Sequence, residues 1–421
     1  VRAHLGYHRI FNRGLLIGTF ASLLLAAAVG ASACAGDPSF RTSVADGVEI
    51  VENFGPGAWA DHPPALELVL DQVYGAELEP KEALLGDPLQ LLSAGTAGGE
   101  LYVLDRQQNR LSRFRKDGTV VWAIGKRGEG PGEFSLPFAV RLSADGKTLV
   151  ISNGRGARIE FWSTDGEFLR SFNLEYPASL LGLIADRIVV GDRLEWRTGA
   201  RVWVVQESVP QGESFDIDVA PDIPDHFSGS IQVGVYGGLI VAGSNSSYDL
   251  RFYTPDGHLT KQVSRDVPYP VHPGNYSREG RGTRHDYGMI RPPMALPGSY
   301  FMVHASWDTR VTDPDATAAE RGFESDYGPT GWRATFDIFN PQGRFMQSVE
   351  FPGPLVVAPG GWALLAYPLE IGLPIHTAGT DAGEQPYLYA RSDDPFPQIR
   401  RYKIEFKPPD AGDGRKDRRV P

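Results

Sequence analysis

Short apolar runs recur along this chain at the spacing of one small antiparallel sheet. The apolar segment Leu101-Tyr102-Val103-Leu104 precedes Asp105, the alternating segment Arg110-Leu111-Ser112-Arg113-Phe114 follows, and Asp117-Gly118 leads into a strand over residues 119–124. The same order of residue types returns 48 residues later as Leu149-Val150-Ile151-Ser152, Asn153, Arg158-Ile159-Glu160-Phe161-Trp162, Asp165-Gly166 and residues 167–172. Alternation with period two argues for strands, and a two-residue Asp-Gly link between them argues for a hairpin, because glycine reaches positive φ without a Cβ clash.

The turn glycine continues as Gly212, Gly257 and Gly343, with intervals of 48, 46, 45 and 86 through the series that begins at Gly118. The long last interval assigns an insertion, residues 305–330, to one unit. A third unit reads 187–190 and 201–205 before Gln211-Gly212, and a fourth reads 239–242 and 250–253 before Asp256-Gly257. The fifth reads 300–303, His304, 335–339 and Gln342-Gly343; a sixth assembles from 362–366, 387–390 and 399–406. A lone sheet of this size cannot bury both faces, whereas copies packed radially cover one another and leave only short edges. The pattern therefore predicts an all-β fold, a six-bladed β-propeller of four-stranded antiparallel blades over residues 47–406. Residues 48–51 or 66–70 are expected to complete the blade formed by 387–406 and so close the ring.

Composition agrees with many short strands. Gly 49 and Pro 33 make 82 of 421 residues, both types that interrupt helices and mark turns. Hydrophobic content of 41% and charged content of 22% exclude wholesale disorder. The formal charge of −11 disfavours nucleic acid, since polyanion binding needs clustered Lys and Arg. The one basic cluster, Arg415-Lys416-Asp417-Arg418-Arg419, falls in residues 407–421, which read as a disordered, solvated tail.

Residues 1–33 carry Arg2, Arg9 and Arg13 and no acid, and residues 14–33 form an uncharged, largely apolar run ending in Ala31-Ser32-Ala33 before Cys34. This is the order of a signal peptide preceding the fold, with residues 34–46 as a linker; the run is also long enough to span a bilayer as an uncleaved anchor. The stretch through Cys34-Ala35-Gly36-Asp37 resembles a bacterial lipobox, with Ala31 where leucine is usual. That resemblance implies lipidation at Cys34. Because Cys34 is the single cysteine, the chain has neither an intrachain disulfide nor a multi-thiolate metal site.

The link between the first two units, Gly125-Lys126-Arg127-Gly128-Glu129-Gly130-Pro131-Gly132-Glu133-Phe134, together with the upstream Leu-Tyr-Val-x-Asp and Asp-Gly segments, resembles the NHL repeat and, more closely, bacterial six-bladed propeller lipoproteins. Those proteins begin with a stretch similar to Gly47-Val48-Glu49-Ile50-Val51-Glu52-Asn53 and end in a strand similar to Arg400-Arg401-Tyr402-Lys403-Ile404. The resemblance runs over roughly residues 45–406. It implies the fold and an exported address, periplasmic or membrane-anchored as a lipoprotein in a bacterium, with the outer membrane as one such location. It implies little chemistry, since related NHL propellers serve as binding platforms, lyases or lactonases.

The glycines of that link do not form a dinucleotide fingerprint, which needs a helix opening at the pyrophosphate; Ser135-Leu136-Pro137 offers a turn. No serine-hydrolase elbow, zinc-protease helix, phosphate loop or EF-hand spacing occurs. Three histidines, His272, His285 and His304, fall within 33 residues and suit zinc only if their loops converge. A ring of mostly oxygen-bearing residues stands at or just past the first apolar strand of each unit: Asp105, Asn153, Asp192, Asn245 and His304. They encircle one mouth if the units close, and would hold a hard cation such as Ca²⁺, or a polar ligand. Asp and Asn there also serve as turn formers. Trp307 and Trp332 bracket the acidic insertion and are candidate recognition residues.

No catalytic residue is identified and no cofactor is required. The sequence points to a cell-envelope binding or scaffold protein whose partner is an envelope protein, a glycan or a small ligand, touching the membrane only through an N-terminal lipid or anchor. The competing expectation is a metal-dependent, lactonase-like hydrolase or lyase using the central channel.

Overall fold

The computed structural model describes residues 39–75, 81–86, 91–95, 100–185, 187–192, 199–206, 209–218, 231–244, 248–266, 289–290, 292–308, 332–350, 371–372, 387–392 and 398–409. They form six sheets, antiparallel but for one pair of strands, arranged as the blades of a propeller. Blade 1 takes Leu91–Gly95, Leu101–Asp105, Arg110–Phe114 and Val120–Ile124; blade 2 takes Ala139–Leu142, Thr148–Asn153, Arg158–Ser163 and Phe168–Asn173. Blade 3 is Ala178–Ile184, Arg187–Asp192, Gly199–Gln206 and Val209–Asp218; the core of blade 4 is Ile231–Tyr236, Leu239–Ser244, Asp249–Tyr253 and Leu259–Arg265. Blade 5 has a split inner strand, Met289–Ile290 and Met294–Ala295, followed by Phe301–Asp308, Trp332–Phe339 and Phe345–Glu350. Blade 6 joins Ile371–Gly372, Tyr387–Ser392 and Gln398–Phe406 to Leu66–Tyr74 from near the N-terminal end.

The chain thus closes its ring with Leu66–Tyr74, one of the two segments expected to do so. The other segment, Val48–Asn53, runs parallel to Leu259–Arg265 on the outer edge of blade 4, and Phe40–Ala45 pairs antiparallel to it. Residues 40–45, expected as linker, are therefore strand, and blade 4 has six strands.

Apolar wedges fill the gaps between successive blades. Tyr102, Leu104 and Phe134 meet Val140, Ile151 and Trp162 between blades 1 and 2. Comparable clusters lie between blades 2 and 3, 3 and 4, 4 and 5, and 5 and 6. The sixth unites Tyr74 and Ile399 of blade 6 with Leu101, Val103 and Phe114 of blade 1. Burial of these inner faces from water is what makes each sheet depend on its neighbours.

The repeat is repeated in hydrogen bonds too. In blades 1, 2, 4 and 5 the third strand carries a register shift at the same step, between Arg113 and Phe114, Phe161 and Trp162, Phe252 and Tyr253, and Ile338 and Phe339. Each is followed by a turn whose glycine N–H donates three residues back, as Gly118 to Arg115 and Gly166 to Ser163. These turns abut the outer strand of the preceding blade: Gly118 lies against Gln72, Gly166 against Trp122, and Gly343 against Val263. Blade 3 departs from the expectation, because Gly212 lies inside Val209–Asp218 and the hairpin closes between Gln206 and Val209. In blade 6 the inner strand is Ile371–Gly372; residues 362–366 lie outside the described residues, as do residues 1–38, Asn245, His272, His285, 309–331 and 410–421.

Candidate functional site

The candidate site is the end of the ring where second strands turn into third strands. Cross-strand register defines equivalent positions there. Leu101 faces Phe114, Leu149 faces Trp162, Ile240 faces Tyr253 and Phe301 faces Phe339, each partner lying just after the register shift. Four residues on, the corner position is Asp105, Asn153, Ser244 and Ala305. Asp192 pairs with Ala178, the first residue of its inner strand, as Asp105 pairs with Leu91 and Ser244 with Ile231, so it takes the same corner in blade 3.

Three of the five residues expected to form a ring therefore share one position. His304 falls one residue before its corner, and strand alternation turns it to the other face of the sheet; it is fully buried with its ring 5.5 Å from that of Phe336. The sequence aligns His304 with Asp105 because each follows four apolar or aromatic residues, but the strand of blade 5 starts at Phe301 rather than Tyr300.

Asp105 and Asn153 are buried and bonded to backbone. Asp105 accepts from Gly86 N at 2.7 Å through Oδ2 and from Gln108 N at 2.9 Å through Oδ1. Asn153 Oδ1 accepts from Ser135 N and Gly154 N, both at 2.8 Å, while its Nδ2 donates to the Glu133 carbonyl and to Glu160 Oε1, both at 2.8 Å. The facing residue is arginine in both blades. Arg110 donates to the Leu84 carbonyl, and Arg158 donates to the carbonyls of Glu129, at 2.5 Å, and Glu133, at 3.0 Å. The acid or amide thus takes an N–H of the incoming linker while the arginine takes its carbonyl. This clamp was not read from the sequence, although the recurrence of Arg110 and Arg158 five residues after the corner signals it.

The buried Glu160 carboxylate anchors the clamp of blade 2, accepting from Trp162 Nε1 at 3.1 Å and pairing with Arg158 at 2.6 Å. A buried charge is tolerated when it is paired and hydrogen-bonded. On the linker itself, the ammonium of Lys126 and the N–H of Gly130 hold the Glu133 carboxyl below the usual carboxylate range.

The central channel is lined by the inner strands, which approach one another around the axis. The described inner strands, 91–95, 139–142, 178–184, 231–236, 289–290, 294–295 and 371–372, contain no Asp, Glu or His. Arg141 is their one charged residue. Its guanidinium reaches across to blade 3 and donates to the carbonyls of Leu180, at 3.3 Å, and Leu181, at 3.4 Å. Among the described residues, no group of three or more His, Cys, Asp or Glu converges as a metal site.

Trp307 and Trp332 lie at the open end of the blade 5 hairpin, where Trp307 pairs with Arg333 and Trp332 with Asp308. Asp308 and Trp332, which flank residues 309–331 in the sequence, lie at the same end of the ring as Asp105 and Asn153. The paired strands extend the hairpin to Asp308 and Trp332, past the expected start of the insertion at residue 305. Cys34 lies outside the described residues; among those described, no helix is long and apolar enough to cross a membrane.

Residues 78–181 match the DUF5128 family, described as a 6-bladed beta-propeller. NHL repeat-containing protein 3 of Homo sapiens is 31% identical over 103 residues, 24% of this chain and 28% of that protein. The matched stretch thus spans little more than a quarter of that relative's length. Among solved structures, a Bacteroides fragilis protein described as exported is 13% identical with a TM-score of 0.49, covering 85% of this chain and 100% of that one. A member of the duf4221 family from Bacteroides vulgatus is also 13% identical, with a TM-score of 0.47, covering 81% and 99%. The chain is a six-bladed β-propeller with NHL-repeat relatives.

Proposed function

We propose that this propeller is an exported binding or scaffold protein, lipid-anchored at Cys34, that holds an envelope protein, a glycan or a small ligand on the face formed by its second-to-third strand corners. The observation that carries this reading is the chemistry of the channel. Its described inner strands contain no Asp, Glu or His and a single charged residue, Arg141, and the corner groups Asp105 and Asn153 are committed to linker backbone. A metal-assisted hydrolase needs carboxylates or imidazoles converging on the channel, and the residue types on these strands do not supply them. Asp308 and Trp332, at the corner end of blade 5, flank the insertion in the sequence, and a long insertion on a rigid frame is a natural carrier of recognition.

Calcium titration of the full chain, with metal analysis of the purified protein, tests this. We expect no binding heat and no stoichiometric divalent ion, and Asp105→Ala to lower stability without changing the titration. One ion bound per chain, lost in Asp105→Ala, would replace the scaffold reading with the metal-dependent one.

A further inference from the structure

The geometry points to a conformational device that starts outside the ring and ends within it: residues 39–74 form a strap that clasps blades 4 and 5 before joining blade 6, and its portion over blades 4 and 5 opens as one cooperative unit. The segment begins as the hairpin of Phe40–Ala45 and Val48–Asn53 on the outer edge of blade 4. At its end, buried Asn53 grips two blades at once. Its Nδ2 donates to the Ser264 carbonyl of blade 4 and to the Gly343 carbonyl of blade 5, each at 3.0 Å, and its Oδ1 accepts from Phe345 N at 2.7 Å.

The chain then crosses the outer strand of blade 5. Trp59 N donates to the Met346 carbonyl at 2.8 Å, and Gly57 approaches the same carbonyl so closely that a Cβ would stand 2.1 Å from its oxygen. Gln347 of blade 5 fastens the crossing from the other side. Its Oε1 accepts from Ala65 N at 2.8 Å, and its Nε2 lies within reach of the carbonyls of His62 at 3.0 Å, Trp59 at 3.2 Å and Pro63 at 3.3 Å. Trp59 enters the wedge between blades 5 and 6, after which Leu66–Tyr74 becomes the outer strand of blade 6.

Two side chains, Asn53 and Gln347, supply most of the polar hold on this crossing, and they sit at its opposite ends. Between those ends the described backbone bonds blade 5 only through Ala58 N, to the Phe345 carbonyl at 3.3 Å, and through Trp59 N, so a segment released at one end detaches as a whole rather than residue by residue. Opening of the unit therefore also unzips the parallel ladder of residues 49–53 on residues 261–265, and that edge is uncovered together with the start of Phe345–Glu350.

Native-state hydrogen exchange on the full chain tests this, reading the amides of Val51, Trp59 and Ala65 with those of Leu104 and Ile151 as controls in blades 1 and 2. In Asn53→Ala we expect exchange at all three strap amides to rise by a common factor of about 30 or more, with the controls unchanged. Gln347→Ala, which approaches from the other end, should raise the same three by a common factor of its own. A rise confined to the neighbours of each substituted residue would overturn the cooperative strap. An equal rise in the controls would overturn it too, because the segment would then open only with the whole ring.

Discussion

Blades 1 and 2 are held from within, and blade 5 is held from without. In the first two, Asp105 with Arg110 and Asn153 with Arg158 pin the linker that enters each blade. Blade 5 has Ala305 at the corner; its outer strand is instead gripped by Asn53 and its own Gln347 binds the passing strap. Arg265 of blade 4 adds an ion pair to the buried Asp337 at 2.5 Å. A propeller blade without the acid–arginine pair at its corner can therefore be secured through its outer edge by another part of the chain.

The comparison breaks most readily at Asn153. Substitution with alanine removes four hydrogen bonds from a fully buried site and strips Glu160 of one donor. Leaving buried partners unsatisfied costs more than the bonds contribute net, so Asn153→Ala is expected to lower unfolding free energy by about 3 kcal/mol. Denaturant titration measures it. A loss no greater than that of an ordinary surface change, about 0.5 kcal/mol, would show that the linker does not depend on the corner.

A smaller effect separates the turns of the two regions. Gly166 in blade 2 has φ 93° and a Cβ there would stand 3.2 Å from both Ile124 and Trp122 of blade 1. Gly47, in the strap hairpin, has φ 80° but no atom within 4 Å of such a Cβ. Gly47→Ala incurs the backbone penalty alone, about 1 kcal/mol, while Gly166→Ala adds crowding between blades and should cost about 2 kcal/mol. Equal losses would mean that the blade 1 wedge yields freely to the added methyl.

These positions also mark how far the sequence could be read. Blades 1 and 2 were legible because alternation, the Asp-Gly turn and the linker all lie within one local stretch. Gly212 misplaced a turn, since glycine is tolerated inside Val209–Asp218 and the hairpin is set by pairing, with Gln206 opposite Val209. The strand Val48–Asn53 was visible as a strand, but its partner strand Leu259–Arg265 runs parallel to it from more than 200 residues further along the chain, with Asn53 facing Arg265, which no local pattern specifies. The corner acids were visible as well. Their role was not, because whether Asp105 faces a ligand or Gly86 N depends on where a linker from the preceding blade arrives.

The finest test concerns the linker's own contribution to the internal clamp. Glu133 accepts from Gly130 N at 3.0 Å and pairs with Lys126 at 2.9 Å, and these partners depress its carboxyl in the folded protein. A carboxyl depressed on folding stabilises the fold above its unfolded pKa, here near 4.5, and that contribution disappears as pH falls through the lower folded value. Glu133→Gln keeps an acceptor for Gly130 but abolishes the ion pair. The wild type should therefore exceed the variant slightly in denaturant midpoint at neutral pH, and the gap should close below pH 4.5. Because Lys126 is largely exposed, the gap should also shrink in about 1 M salt. A gap unchanged by acid would assign the effect of the substitution to linker packing, and the clamp would then owe its hold to Asn153 and Arg158 without help from the charge on the linker.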